Sequence, residues 1–191
     1  MTELILASGS PRRADLLRQL GLSFSVISPS VDETIKRNES SLDFVERLAK
    51  EKNSEVQNKL ESNKLVLSAD TVVVFQNRIL GKPKSKAEGF SMLKTLSEQM
   101  HTVVTGVALT TKTQEKFFFV ETKVKFRRLS DHEIYTYWMT GEPKDKAGAY
   151  GIQGLGALFV SRIEGSYSNV VGLPLMETGE ILKQLGVDCL L

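Results

Sequence analysis

Residues 64–75, KLVLSADTVVVF, constrain the fold more than any other stretch of the chain. β-Branched and other apolar residues at this density specify a strand buried on both faces, and such a strand belongs inside a covered sheet. Asp70 stands in the middle of it. An unpaired carboxylate there costs several kcal/mol or takes up a proton. Two-residue alternation puts Ser68, Asp70 and Val72 on one face, so lysines or a metal ion facing Asp70 would justify its place. In that setting Asp70 is a candidate metal ligand or general base. The alternative is a strand-end Asp that hydrogen-bonds a neighbouring loop.

Strand-like and helix-like segments alternate along the rest of the chain. ELILA (3–7) and SFSVIS (23–28) read as strands flanking a helix from Pro11 to Leu20 that Gly21 closes. Helices are expected over 41–58, 85–98 and 130–142, opened by Ser41, Ser85 and Ser130, and a last one near Pro174. QNRI turns the 64–75 strand back, residues 101–111 and 115–129 pair around a turn near 112–115, and 157–163 is a further strand. This order specifies a mixed α/β fold with one long curved sheet flanked by helices, a single domain over residues 1–191 without repeat or linker.

Composition narrows the classes. A net charge of +2 is too mild to argue for nucleic acid as a partner. Cys189 stands alone and forms no internal disulfide. No basic lead into an apolar segment opens the chain and no apolar run is long enough for a bilayer, so a cytoplasmic protein without membrane association is expected.

Three further places set polar chemistry in unusual surroundings. In SGSPRR (8–13), Ser10 reads as an N-cap and Pro11 as the first helical residue, which leaves Arg12 and Arg13 at the helix end that repels cations. Strand, tight turn and helix start aim N–H groups at one point, and Ser8, Ser10 and two guanidinium forks add donors suited to phosphate. The alternative is that both arginines point into water. Lys52 falls on the apolar stripe of its helix with Val45, Ala49 and Val56, either snorkelling or directed at a buried anion, and Lys82, held extended by Pro83, is placed to converge with it. In GAYGIQGLG (148–156), closely spaced glycines admit another backbone or a flat ligand, Tyr150 can stack, and Gln153 offers the donor and acceptor that a base edge needs. A tight glycine turn with Gln153 in solvent is the alternative.

Two histidines and one cysteine exclude a histidine-rich or Cys₄ zinc site. Oxygen ligands from Glu33, in the loop SVDET, and Asp70 would favour a hard divalent ion.

Taken in order, LILASGSPRRADLLRQLG, VDET, LAKEK, SADTVV, GKP, KAGAYGIQG and GSYSNVVGLPL resemble the Maf family of nucleotide pyrophosphatases over nearly the whole chain. The resemblance implies two lobes with a central cleft, related to inosine-triphosphatase-like folds, and metal-dependent hydrolysis of nucleoside triphosphates to monophosphate and pyrophosphate with Mg²⁺, Mn²⁺ or Co²⁺. It implies phosphate-binding or catalytic roles for Ser10, Arg12, Arg13, Lys52 and Lys82, metal or water activation by Glu33 and Asp70, and Asp70 as proton acceptor. Arg12, Thr71 and Gln153 match positions linked to base selection. YGIQG with YSNVVGLPL resembles the group acting on dTTP and UTP, which implies a pyrimidine preference that CTP and modified pyrimidine nucleotides could share, and the family as a whole implies limiting the incorporation of non-canonical nucleotides. The competing readings are a nucleotide-binding regulator of septum formation without turnover, and a pyrophosphatase for 7-methyl-GTP or other modified nucleotides. A homodimer stays open, with no contiguous apolar stripe to announce one. Two points depart from the pattern. Asn53 stands where the family more often has a small apolar residue, and alternation puts Asp70 and Thr71 on opposite faces, so the strand must bulge or end there if both reach one substrate.

Overall fold

The computed structural model describes residues 3–60 and 64–189. Seven strands form one mixed sheet. Strands β1 (Leu4–Ala7) and β3 (Leu65–Phe75) run parallel side by side, and β2 (Phe24–Ile27) extends the parallel part beyond β1 to the edge. On the other side β5 (Met100–Thr110), β6 (Glu115–Phe126) and β7 (Val160–Glu164) continue antiparallel. A turn with left-handed Gln76 and Asn77 folds β4 (Arg78–Leu80) back onto the end of β3, a short strand that the sequence reading did not anticipate.

Helix α1 (Pro11–Arg18) follows β1, and α2 (Ser41–Gln57) precedes β3. The upper half carries α3 (Lys86–Leu96) and α4 (Asp131–Met139); the chain ends through α5 (Tyr167–Val171) and α6 (Leu175–Gln184). Serine hydroxyls cap α2, α3 and α4 as the patterning predicts, although α2 takes its cap from Ser40, one residue before the expected start. The expected strand at 157–163 is corrected: Leu155–Phe159 is a 3₁₀ turn, where Gly154 and Gly156 break the alternation, and β7 begins only at Val160.

One face of the sheet is covered by α2, whose Val45 and Leu48 pack on Val72 and Val104. Gly106, opposite Asp70 in the register, lets α2 approach there, since a Cβ would stand 3.0 Å from Val45. The other face carries two separate apolar cores. Leu65, Leu67, Ala69, Val107 and Leu109 join α1 and α6 in one. Val73, Val103, Val124 and Phe126 join α3 and α4 in the second. The cross-strand pair Thr71–Thr105 lies between them in the alternation. The two cores adjoin along that polar seam, with Val160 and Val170 packed against both. No helix among the described residues is long and apolar enough to cross a membrane.

Candidate active site

β1 accompanies β3 only as far as Ala7 opposite Ser68, and β4 takes over only at Val73 opposite Leu80. Residues 69–72 therefore have a bare edge, while their other edge pairs with β5 without any register shift. A cleft of about 1170 Å³ runs over this gap, and every candidate residue named from the sequence lines it. The expected bulge or strand end near Asp70 is not there. Both faces of an unbroken strand become accessible across one open edge instead.

On the α2 face, Asp70 and Lys52 are each 7% exposed, and Lys52 Nζ donates to Asp70 Oδ1 at 2.6 Å. The same ammonium donates to Glu33 Oε1 at 2.6 Å, and Lys82 Nζ donates to Glu33 Oε2 at 2.6 Å. The result is a chain Asp70–Lys52–Glu33–Lys82 that runs from the buried strand to the cleft mouth. Burial pushes the Asp70 carboxyl above its ordinary range, against the pull of Lys52 and Arg13. Glu33 goes the other way: its burial penalty is outweighed by hydrogen bonds from Lys52 and Lys82, which bring it down to about 2. Lys52 is thus directed at one buried carboxylate, Asp70, and one exposed one, Glu33, and does not snorkel. Asn53, the departure from the family pattern, donates through Nδ2 to Val66 O, Ala108 O and Ser68 Oγ, and so ties α2 to β3 and β5 directly beneath Lys52.

On the other face, Arg13 is fixed by the protein itself. Its Nε donates to Gly172 O at 2.8 Å, Nη2 to Thr71 Oγ1 at 3.0 Å and Nη1 to Ser8 Oγ at 3.4 Å. Burial lowers its pKa, opposed by Asp70. Thr105 Oγ1 donates to Asn169 O, so its hydroxyl accepts from Thr71. Ser8, expected as a ligand contact, is only 3% exposed and takes N–H bonds from Ser10 and Arg13. It braces the loop while lining the cleft. Ser10 is the N-cap of α1 but makes no side-chain cap bond; it lines the cleft, and no hydrogen bond of its hydroxyl to another described residue is seen.

The far wall is built differently. Arg12 pairs with Asp145 at 3.7 Å across the cleft mouth. Gln153 is exposed, and no described residue hydrogen-bonds its amide. Tyr150 requires a correction: 6% exposed, it packs edge-on against Phe126 and His101, and its hydroxyl lies 2.8 Å from His101 Nε2. It belongs to the upper core and closes the cleft floor; its ring is not free to stack on a base. Of the readings of the glycines, close approach of the protein itself is the one observed: Gly148 faces Val73, Gly151 faces Lys146, Gly154 faces Glu142 and Gly156 meets the Gly151 backbone, with Gln153 exposed.

A family model described as Maf-like protein matches residues 3–185. The chain belongs to the Maf family. A relative from Halalkalibacterium halodurans named dTTP/UTP pyrophosphatase is 51% identical over 186 residues, covering 97% of this chain and 97% of its own. One of the same name from Hahella chejuensis is 49% identical, over 96% of this chain and 92% of its own. A solved structure titled nucleoside-triphosphatase / dITP/XTP pyrophosphatase from Mycobacterium abscessus shares 17% identity at a TM-score of 0.48, over 96% of this chain and 94% of its own.

In this Maf protein, sequence reasoning missed the residues that hold the site in place. Thr105 and Asn169, both fully buried, were detectable as polar residues inside an apolar strand and helix. Arg47 shows an i, i+4 pairing with Glu51 in the sequence, but its bonds to Glu39 and Thr34 O, like those of Glu142 to the N–H groups of Leu155 and Gly156, reach irregular segments that spacing does not reveal. Among the described residues no three His, Cys, Asp or Glu side chains converge as a metal cage. Of the acids lining the cleft, Glu33 and Asp70 are the two carboxylates bridged by one ammonium.

Proposed function

We propose that this Maf protein hydrolyses dTTP and UTP to the nucleoside monophosphate and pyrophosphate. The observation that carries this reading is the chain Asp70–Lys52–Glu33–Lys82 set beside Arg13 at an open strand edge. Several cations converge there with an acid whose basicity is raised by burial. Water attacks the α-phosphorus, the bond from that phosphorus to the bridging oxygen breaks, and pyrophosphate leaves with the electron pair. Asp70 takes the proton of the water. Its Oδ1 is held by Lys52, and among the described residues nothing donates to Oδ2, the oxygen left to act as base. Arg12, Lys52 and Lys82 offset the charge that develops on the leaving group, and the uncapped start of α1 adds N–H donors. Gln153, with its free amide, meets the carbonyl and N–H of a thymine or uracil edge.

Glu33 and Asp70 fit a hard divalent ion held in the manner usual for Mg²⁺ and Mn²⁺, by one or two carboxylates completed by substrate phosphates. Such an ion would screen phosphate charge. Magnesium, manganese and cobalt remain the choices to compare.

The test is product analysis with dTTP or UTP and Mn²⁺. Monophosphate and pyrophosphate in equal amounts are expected; release of orthophosphate, or nucleotide bound without turnover, overturns the reading. Asp70→Asn is expected to lower kcat by about 10²–10⁴-fold, the range of general acid–base catalysis, with dTTP binding retained. An unchanged rate would remove Asp70 from this role.

A further inference from the structure

Gln153 is carried over the cleft by backbone with almost no regular structure. The segment passes through short 3₁₀ turns at Glu142–Asp145, Ala147–Ala149 and Leu155–Phe159. An exposed glutamine on such a chain samples many positions, whereas selective contact with one base edge needs a narrow range of them. Something must fix the loop.

One carboxylate does so. Glu142 Oε2 accepts from Leu155 N at 2.9 Å, and Oε1 accepts from Gly156 N at 3.1 Å and from the Tyr137 hydroxyl at 2.8 Å. The same hydroxyl accepts from Gly151 N at 3.0 Å. Backbone N–H groups on both sides of Gln153, at 151 and at 155–156, therefore end on a single acid–phenol pair. Hydrogen bonds to a charged acceptor are the stronger kind. Tyr137 is itself fixed, 4% exposed and edge-on to Phe159 with ring centroids 4.8 Å apart. Gly154 is where the loop closes on the carboxylate: a Cβ there would stand 2.3 Å from Glu142 Oε2. Glycine spacing that reads in sequence as room for a ligand is room for Glu142.

We propose that Glu142, acting with Tyr137, is a positioning residue for base selection, holding the 151–156 loop so that Gln153 meets one base edge. The inference rests on the proposed role of Gln153 as the base reader. Glu142 touches no substrate; it acts through the backbone of the loop. In Glu142→Gln the side chain keeps its size, but its amide nitrogen faces a backbone N–H that it cannot accept from. Tyr137→Phe breaks the same pair from the other side and leaves the carboxylate in place.

The experiment measures kcat and KM for dTTP and dGTP in the wild type, Glu142→Gln, Tyr137→Phe and Gln153→Ala, with thermal melting of each. A loosened loop is expected to raise KM for dTTP about tenfold in both positioning variants, with kcat within about twofold, because displaced contacts weaken binding of the base and spare the phosphate chemistry. The dTTP-to-dGTP ratio of kcat/KM falls toward that of Gln153→Ala. If Gln153→Ala shifts the ratio and neither positioning variant does, or if their kcat falls equally on both nucleotides, the inference is overturned. If Gln153→Ala itself leaves the ratio unchanged, the reading of Gln153 fails first, and the two failures are distinguishable.

Discussion

On one wall of the cleft, Lys52 and Asp70 are each 7% exposed and stand on a helix of 17 residues and a strand of 11. On the other, exposed Gln153 sits on a run of 3₁₀ turns drawn around one glutamate. The difference matches what each wall would hold in the proposed reaction. A triphosphate is the same in every nucleotide, so its counter-charges belong on elements that cannot move, where burial makes them strong. A base edge varies, and its discrimination comes from placed neutral hydrogen bonds, for which a short loop with an internal hub suffices.

The largest expected effect breaks the first wall. Lys52→Met leaves Asp70 and half of the Glu33 pairing without their cation, and removing one partner of a buried ion pair typically costs about 3–5 kcal/mol. Urea denaturation should show that loss, with turnover reduced by about 10³-fold through the lost charge stabilisation. Stability at the wild-type level would mean that Arg13 alone offsets the Asp70 carboxylate.

How much of this was legible in the sequence divides along the same line. The acid–amine wall shows itself because Asp70 and Lys52 contradict the pattern of the elements that carry them, and regular elements have patterns to contradict. The helix caps and the long antiparallel strands follow from local signals. The open edge beside residues 69–72 does not, because it depends on where β1 ends and β4 begins, and these are separate segments of the chain. The inner contacts of the glycine wall are hidden for a related reason. Irregular backbone has no period, so neither the commitment of Tyr150 to the core nor the partners of Glu142 can be read from spacing.

A second expectation concerns the foot of that glycine wall. His101 is 2% exposed, and burial lowers its pKa to about 4 from 6.5. Between these values the unfolded chain holds a proton that the folded chain does not, so stability falls as pH drops from about 6.5 toward 4, by roughly 3 kcal/mol in all. Glu33, brought down to about 2, adds its own loss only below its ordinary range. Denaturation at a series of pH values should give this slope in the wild type and a flatter one in His101→Gln, which can still meet the Tyr150 hydroxyl. Equal slopes would place the acid sensitivity elsewhere. Smaller again is Gln153→Ala: about tenfold erosion of the preference for thymine and uracil over purines, the scale of one lost hydrogen bond, with stability within about 0.5 kcal/mol of wild type.

The smallest effect sharpens the comparison, because the first wall has one irregular part of its own. Glu33 lies in the loop of residues 28–40, and Arg47 on α2 clamps that loop: Nε and Nη2 fork onto Glu39 at 2.5 and 2.9 Å, and Nη2 also donates to Thr34 O at 3.1 Å. Arg47→Lys keeps the charge but loses the fork, and a lysine reaches one of these acceptors at a time. The loss of about 0.5–1.5 kcal/mol per hydrogen bond should loosen Glu33 without unpairing Asp70. The half-saturating Mn²⁺ concentration is then expected to rise several-fold, with kcat at saturating metal almost unchanged and the dTTP-to-dGTP ratio unmoved. A drop in kcat with unaltered metal dependence would show that the Glu33 loop is held by its lysine pairs alone. A shift in base preference would show that the two walls are coupled through the substrate.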